Sequence, residues 1–195
     1  MREITLPDGV ARGVVLLVTG ARRAGKTTLL LAVRDAARRA GWSVGGMLSL
    51  ARFDGDEKVG IDVLDAASGA RRPLATVSAE PRGPIHTGRY TFDAEGMDAG
   101  LDFARAGQGA DLFIVDELGP LELVRGEGWA PVLPMIRARQ FGAALVVVRP
   151  ELIDLARDAL GLPLTVPVLD ITPDNRARWT ERLSAWVAAR ATKPD

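Results

Sequence analysis

Residues 14–27 read Val-Val-Leu-Leu-Val-Thr-Gly-Ala-Arg-Arg-Ala-Gly-Lys-Thr. An apolar run ends in Gly20-x-x-x-x-Gly25-Lys26-Thr27, and a helix-forming stretch follows at once. This is the strand–loop–helix context in which that spacing builds a phosphate-binding P-loop. The constraint on the fold is strong. Such a loop sits at the carboxyl end of a strand, with backbone N–H groups and the positive end of the next helix turned to an anion. The expected cradle is Gly20, Ala21, Arg22, Arg23, Ala24, Gly25, Lys26, Thr27 and Thr28, with Lys26 on the β- and γ-phosphates and the Thr27 hydroxyl on Mg²⁺. The chain holds 22 Arg but only 3 Lys, so a lysine in the loop does not follow from abundance. Arg22 and Arg23 each either touch phosphate or face solvent.

Composition removes several alternatives. With 25 basic and 25 acidic residues the net charge is zero, which argues against nucleic-acid binding by charge alone. There is no cysteine and one histidine, so neither a disulfide framework nor a thiolate or His-rich metal site is available. The run 14–18 that follows the Pro7-Asp8-Gly9 turn is too short for a signal segment, and no stretch approaches the ~20 apolar residues of a membrane span. The expectation is a single cytoplasmic domain over 1–195, with no membrane partner, as a monomer or small homo-oligomer.

β-branched runs alternate with helical periods, which predicts a three-layer α/β fold on a mainly parallel sheet. The expected strands are 13–19, 43–50, 111–116, 143–148 and 165–171. The expected helices are 26–40, 94–106, 131–140, one opened by Pro150, and a final one burying Trp179, Leu183, Trp186 and Val187. Segments 57–65 and 73–78 read as a β-hairpin inserted after the second strand. Residues 79–92 read as a loop leading to a short strand near Tyr90.

The strand 111–116 is expected to end in Asp116-Glu117. A carboxylate at the tip of a buried strand downstream of a P-loop fits the Walker B role, so Asp116 is assigned to Mg²⁺ with Thr27. The adjacent Glu117 is placed to orient or deprotonate an attacking water. Ligands of open parallel sheets lie outside the carboxyl ends of strands, where Gly20, Glu117, Arg149 and Thr172 are expected. Arg149 either stabilises charge on a γ-phosphate or is a surface residue before a helix. Glu122 is either a supporting carboxylate or a solvated turn residue. Thr172-Pro173 reads first as a helix cap.

Asp116-Glu117-Leu118-Gly119-Pro120-Leu121-Glu122-Leu123 resembles the Asp-Glu-Ile-Gly-Lys-Met-Glu-Leu stretch of the small P-loop nucleoside-triphosphatases of the cancer-related nucleoside-triphosphatase type. Gly45-Gly46-Met47, Val59-Gly60-Ile61-Asp62-Val63 with Pro73-Leu74-Ala75, and Thr172-x-x-Asn175-Arg176 are similar to further family segments in the same order. The resemblance implies a recombinase-type fold of the additional-strand, catalytic-Glu class. It also implies Mg²⁺-dependent hydrolysis of ATP, GTP and other NTPs, with Glu117 activating water and Asn175 and Arg176 at the base. Two positions depart from the pattern: Pro120 replaces the family lysine, and Arg23 replaces a third loop glycine. Two other readings fit a chain of this size. One is a nucleotide or small-molecule kinase with a lid from 79–92 (Arg82, Arg89) or 119–128. The other is a nucleotide-binding accessory protein or sensor with little turnover, against which Glu117 stands.

Overall fold

In the strand that precedes the P-loop, Val15 and Leu17 face one side and Leu16 and Val18 the other, and all four are buried. A strand apolar on both faces needs a cover on both, so helices form two outer layers. The structure, a computed structural model, describes Leu6, residues 12–77 and residues 85–191. The Pro7-Asp8-Gly9 turn and Arg82 lie outside the described residues.

In chain order the elements are β1 (Val14–Thr19), α1 (Lys26–Arg39), β2 (Val44–Asp54), β3 (Glu57–Asp65), β4 (Arg71–Val77), β5 (His86–Thr87), β6 (Tyr90–Phe92) and α2 (Ala94–Ala106). They continue with β7 (Leu112–Leu118), α3 (Pro120–Leu123), α4 (Val132–Ala138), β8 (Ala143–Val148), a 3-10 turn (Pro150–Leu152), α5 (Ile153–Leu160), β9 (Val168–Asp170) and α6 (Arg176–Ala191). The sheet has nine strands in the order β5-β6-β4-β3-β2-β7-β8-β1-β9. The block β2-β7-β8-β1-β9 is parallel throughout, and from β2 outward the pairs are antiparallel. β8 therefore lies between the P-loop strand β1 and the acid-tipped strand β7, as the additional-strand class requires. Leu29, Leu30, Val33 and Ala37 of α1 and Trp179, Leu183 and Val187 of α6 fill one core. Met97 and Leu101 of α2, Ile136 of α4 and Leu160 of α5 fill the other. Among the described residues no helix is long and apolar enough to cross a membrane.

Several expected boundaries move, each for a local reason. The last strand shrinks from 165–171 to Val168–Asp170, because Pro167 has no N–H to give the ladder and the Val166 N–H turns back to the Pro163 carbonyl at 3.0 Å. β2 runs to Asp54 rather than residue 50, drawn out by its antiparallel pairing with β3. β7 continues past Asp116-Glu117 to Leu118, and the short helix α3 behind it was not foreseen. Helix α4 stops at Ala138, where Arg139 takes a left-handed φ of 50°. Trp186 is only half-buried at the edge of its core.

Candidate active site

The P-loop closes onto itself before any ligand is considered. Lys26 Nζ donates to the carbonyls of Gly20 at 2.7 Å and Ala21 at 2.9 Å, and the Ala24 N–H donates to Ala21 O at 3.2 Å. Gly20 has φ 135°, and a Cβ there would stand 2.2 Å from the Ile171 carbonyl oxygen, so no side chain fits. Gly25 caps α1 at φ 92°, with no side-chain cap and no acidic residue in the first turn. The first N–H groups of that helix are thus left to an anion. Arg23 adopts φ 64°, the left-handed conformation that the missing third glycine would take freely.

The two distant segments meet. Thr27 Oγ1 donates to Asp116 Oδ2 at 2.8 Å across 89 residues of sequence. Asp116 is 3% exposed, and Ser49 on β2 supports it twice: its N–H donates to Oδ2 and its hydroxyl to the Asp116 carbonyl, both at 3.2 Å. Burial pushes the Asp116 carboxyl up to about 6, against the lowering effect of the Thr27 and Ser49 hydrogen bonds and of Lys26, while Glu117 adds to the rise. A buried carboxylate held at this cost is one that a cation would relieve. Among the described residues no group of three or more His, Asp or Glu could hold a metal. A Thr hydroxyl and one carboxylate suit Mg²⁺, which usually keeps several waters and takes substrate phosphates as ligands.

Glu117 follows Asp116 on the same strand but, unlike it, is exposed. Its φ is 85°, and the β7–β8 register shifts between Val115 and Leu118. This bulge lifts the side chain out of the ladder into the open. There Arg149, at the end of β8, donates from Nε to Glu117 Oε1 at 2.9 Å, with both side chains about half exposed. Sequence reasoning named both residues but not their pairing, which depends on the tips of β7 and β8 lying side by side. Ser49 was missed altogether. Its signal is one polar residue in the apolar run Met47-Leu48-Ser49-Leu50.

The rim is built by side chains that hold backbone. Glu122 is 7% exposed; Oε2 accepts from the Gly119 N–H at 2.9 Å and Oε1 from the Trp129 N–H at 3.2 Å. It is therefore a buried clamp on the turn after β7, not a solvated turn residue. Burial raises its carboxyl above the usual range despite these bonds. Asn175 is occupied in the same way. Its Oδ1 accepts from the Thr172 N–H at 2.9 Å and its Nδ2 donates to the Asp170 carbonyl at 2.9 Å. Arg176 does reach the loop: a Cβ on Gly25 would lie 2.5 Å from its Cδ. A cleft of about 400 Å³ opens beside the loop, walled by Ala21, Ala24, Pro150, Ile153 and the 170–173 turn.

A P-loop on β1, an inserted β8 and an acid-tipped β7 define a P-loop NTPase fold with an additional strand. The sequence profile of a family described as NTPase matches residues 15–183, and the chain belongs to that family. Nucleoside-triphosphatase THEP1 of Pyrococcus abyssi is 37% identical over 112 residues, covering 56% of this chain and 61% of that protein. The same-named protein of Methanopyrus kandleri is 29% identical over 177 residues, 85% of this chain and 97% of that one. The chain thus spans less than two-thirds of the Pyrococcus relative and nearly all of the Methanopyrus one. Among solved structures, a human cancer-related nucleoside triphosphatase superposes with TM-score 0.69 at 23% identity, covering 94% of this chain and 100% of that one. THEP1 from Aquifex aeolicus superposes with TM-score 0.64 at 18% identity, covering 89% and 99%. These two likenesses concern the fold.

Proposed function

We propose that the chain is a Mg²⁺-dependent nucleoside-triphosphatase that hydrolyses several NTPs to NDP and phosphate. The observation that carries this reading is the convergence of Lys26, Thr27, Asp116 and Glu117 at one crevice, with the glutamate lifted beside the buried aspartate by a bulge. Thr27 and Asp116 would hold Mg²⁺, which supplies charge neutralisation on the phosphate oxygens when bound. The loop amides and Lys26 bind the β- and γ-phosphates and fix the scissile bond in place. Glu117 accepts a proton from the attacking water as the water oxygen bonds to the γ-phosphorus and the bond to the bridging oxygen breaks. Arg149 orients Glu117 through the 2.9 Å bond and brings a cation to the same face. Asn175 acts by fixing the turn that carries Arg176 to the loop.

The cleft beside the loop offers mostly apolar wall, so it gives a base contact area but few hydrogen bonds to discriminate one base from another. Broad NTP use follows. A kinase would need an acceptor hydroxyl or phosphate near Glu117, and nothing specific at that position favours one. The cytoplasm is the proposed location. Phosphate release from ATP, GTP, CTP and UTP tests the reading: all four are expected to be cleaved with Mg²⁺, with rates within about tenfold of one another, and none with EDTA. Nucleoside diphosphate formed without phosphate release, and only when a nucleoside monophosphate is added, would replace the hydrolase by a kinase.

A further inference from the structure

Two apolar runs of the parallel core each lead into a hydroxyl residue: residues 14–18 of β1 into Thr19, and Met47-Leu48 of β2 into Ser49. In the sheet order β2-β7-β8-β1 these two strands flank the pair whose tips carry Glu117 and Arg149. The backbone registers on both flanks stop short of those tips. β2 and β7 are last paired at Met47 and Val115, and β1 and β8 at Val18 and Val147. A hydroxyl then continues each flank. Ser49 Oγ donates to the Asp116 carbonyl at 3.2 Å, and Thr19 Oγ1 donates to the Val148 carbonyl at 2.9 Å.

The two acceptors hold the same place relative to the site. Each is the carbonyl of the peptide unit whose N–H belongs to the next residue, Glu117 in one case and Arg149 in the other. Because the peptide is planar, fixing that carbonyl fixes the direction in which the next Cα leaves the strand. This matters most at Glu117, whose φ of 85° is a strained, left-handed value for a residue with a Cβ. β8 gives neither Asp116 nor Glu117 a paired residue, since the register jumps from Val115 against Val146 to Leu118 against Val148. The salt bridge alone cannot hold the tips either, because an ion pair this exposed is weak and screened by salt. The hydroxyls stand on firmer ground. Thr19 is 6% exposed, and its own carbonyl accepts from the Ile171 N–H at 2.9 Å. Ser49 is paired with Val63 of β3, and its N–H holds the Asp116 carboxylate at 3.2 Å.

We propose that Thr19 and Ser49 are positioning residues for NTP hydrolysis. Their hydroxyls set the peptides beneath Arg149 and Glu117, so that guanidinium and carboxylate meet at 2.9 Å in the orientation that serves the attacking water. The proposal rests on the hydrolase reading of Glu117 and adds the groups through which the flanking strands enforce it. Thr19 also borders the cleft beside the loop, so binding has to be read apart from turnover.

Thr19→Val and Ser49→Ala each remove one hydroxyl, while Thr19→Ser and Ser49→Thr keep it. Ser49→Ala also keeps the N–H on the Asp116 carboxylate, so the Mg²⁺ concentration for half-maximal rate is expected to stay as in wild type. In phosphate release from Mg·ATP, each hydroxyl-free variant is expected to lose about tenfold in kcat with KM within about twofold, and each hydroxyl-keeping variant to recover most of the loss. Single turnovers separate positioning from general damage. In a Glu117→Gln background Ser49→Ala is expected to bring no further loss, and in an Arg149→Ala background neither is Thr19→Val, because each hydroxyl acts through that residue. Wild-type kcat in either folded hydroxyl-free variant overturns the proposal, as does a loss carried by KM alone or one that persists undiminished in those backgrounds. Ser49 is only half-buried, so Ser49→Ala decides the matter if Thr19→Val fails to fold. Failure of the hydrolase reading shows separately, as Mg²⁺-independent phosphate release by wild type or a Glu117→Gln variant that turns over like it.

Discussion

Arg23 occupies the left-handed region at φ 64° inside the P-loop, a conformation that costs an L-residue roughly 1 kcal/mol or more and costs glycine little. The departure from the family pattern is therefore tolerated strain rather than a different loop. Arg23→Gly is expected to raise unfolding stability by about 1 kcal/mol without weakening nucleotide binding, and an unchanged or lower melting temperature would contradict this. Asp116 makes a second prediction at this scale. Its folded-state carboxyl sits at about 6, above the ordinary carboxylate range, because burial disfavours the charged form. Between about pH 4 and pH 6 the folded protein therefore holds a proton that the unfolded chain has released, so stability falls as pH rises through that window. The fall amounts to roughly 2–3 kcal/mol from this group in the metal-free protein. Asp116→Asn is expected to flatten that limb. Thermal unfolding in EDTA across pH 4–7, wild type against variant, checks it; parallel curves would place the proton elsewhere.

At the scale of elements, the catalytic tip depends on the turn that follows β7. Glu122 ties the Gly119 and Trp129 amides together, and without it two buried N–H groups lose their acceptors. Glu122→Ala is expected to cost about 2–4 kcal/mol and to lower turnover by letting the Glu117 tip move. A variant as stable as wild type by denaturant unfolding would show that the clamp is dispensable. The role was not legible in the sequence, where Glu122 reads equally as supporting or solvated, since its partners become visible only once the turn closes. Asp116-Glu117 itself was legible, because an apolar run ending in two carboxylates is a local pattern. The bulge with its left-handed Glu117 was not, because it is a matter of register between β7 and β8.

Over the whole molecule, the parallel core was readable from β-branched runs and helical periods, and α2 falls on residues 94–106 as expected. The order of strands was legible only through the family resemblance. The antiparallel arm was half seen: the β3–β4 segments were expected, but not the length of β2 or the approach of Lys58 and Arg89 to the Tyr90 ring, which needs β3, β4 and β6 in register. What the fold accomplishes is to bring Lys26 and Thr27 after β1, Asp116 and Glu117 on β7 and Arg149 after β8 to one end of three adjacent strands. The most direct measurement is phosphate release from Mg·ATP by Glu117→Gln alongside its nucleotide affinity. Turnover is expected to fall about a hundredfold or more with affinity within about twofold of wild type. Wild-type turnover in that variant would contradict the assignment of water activation to Glu117.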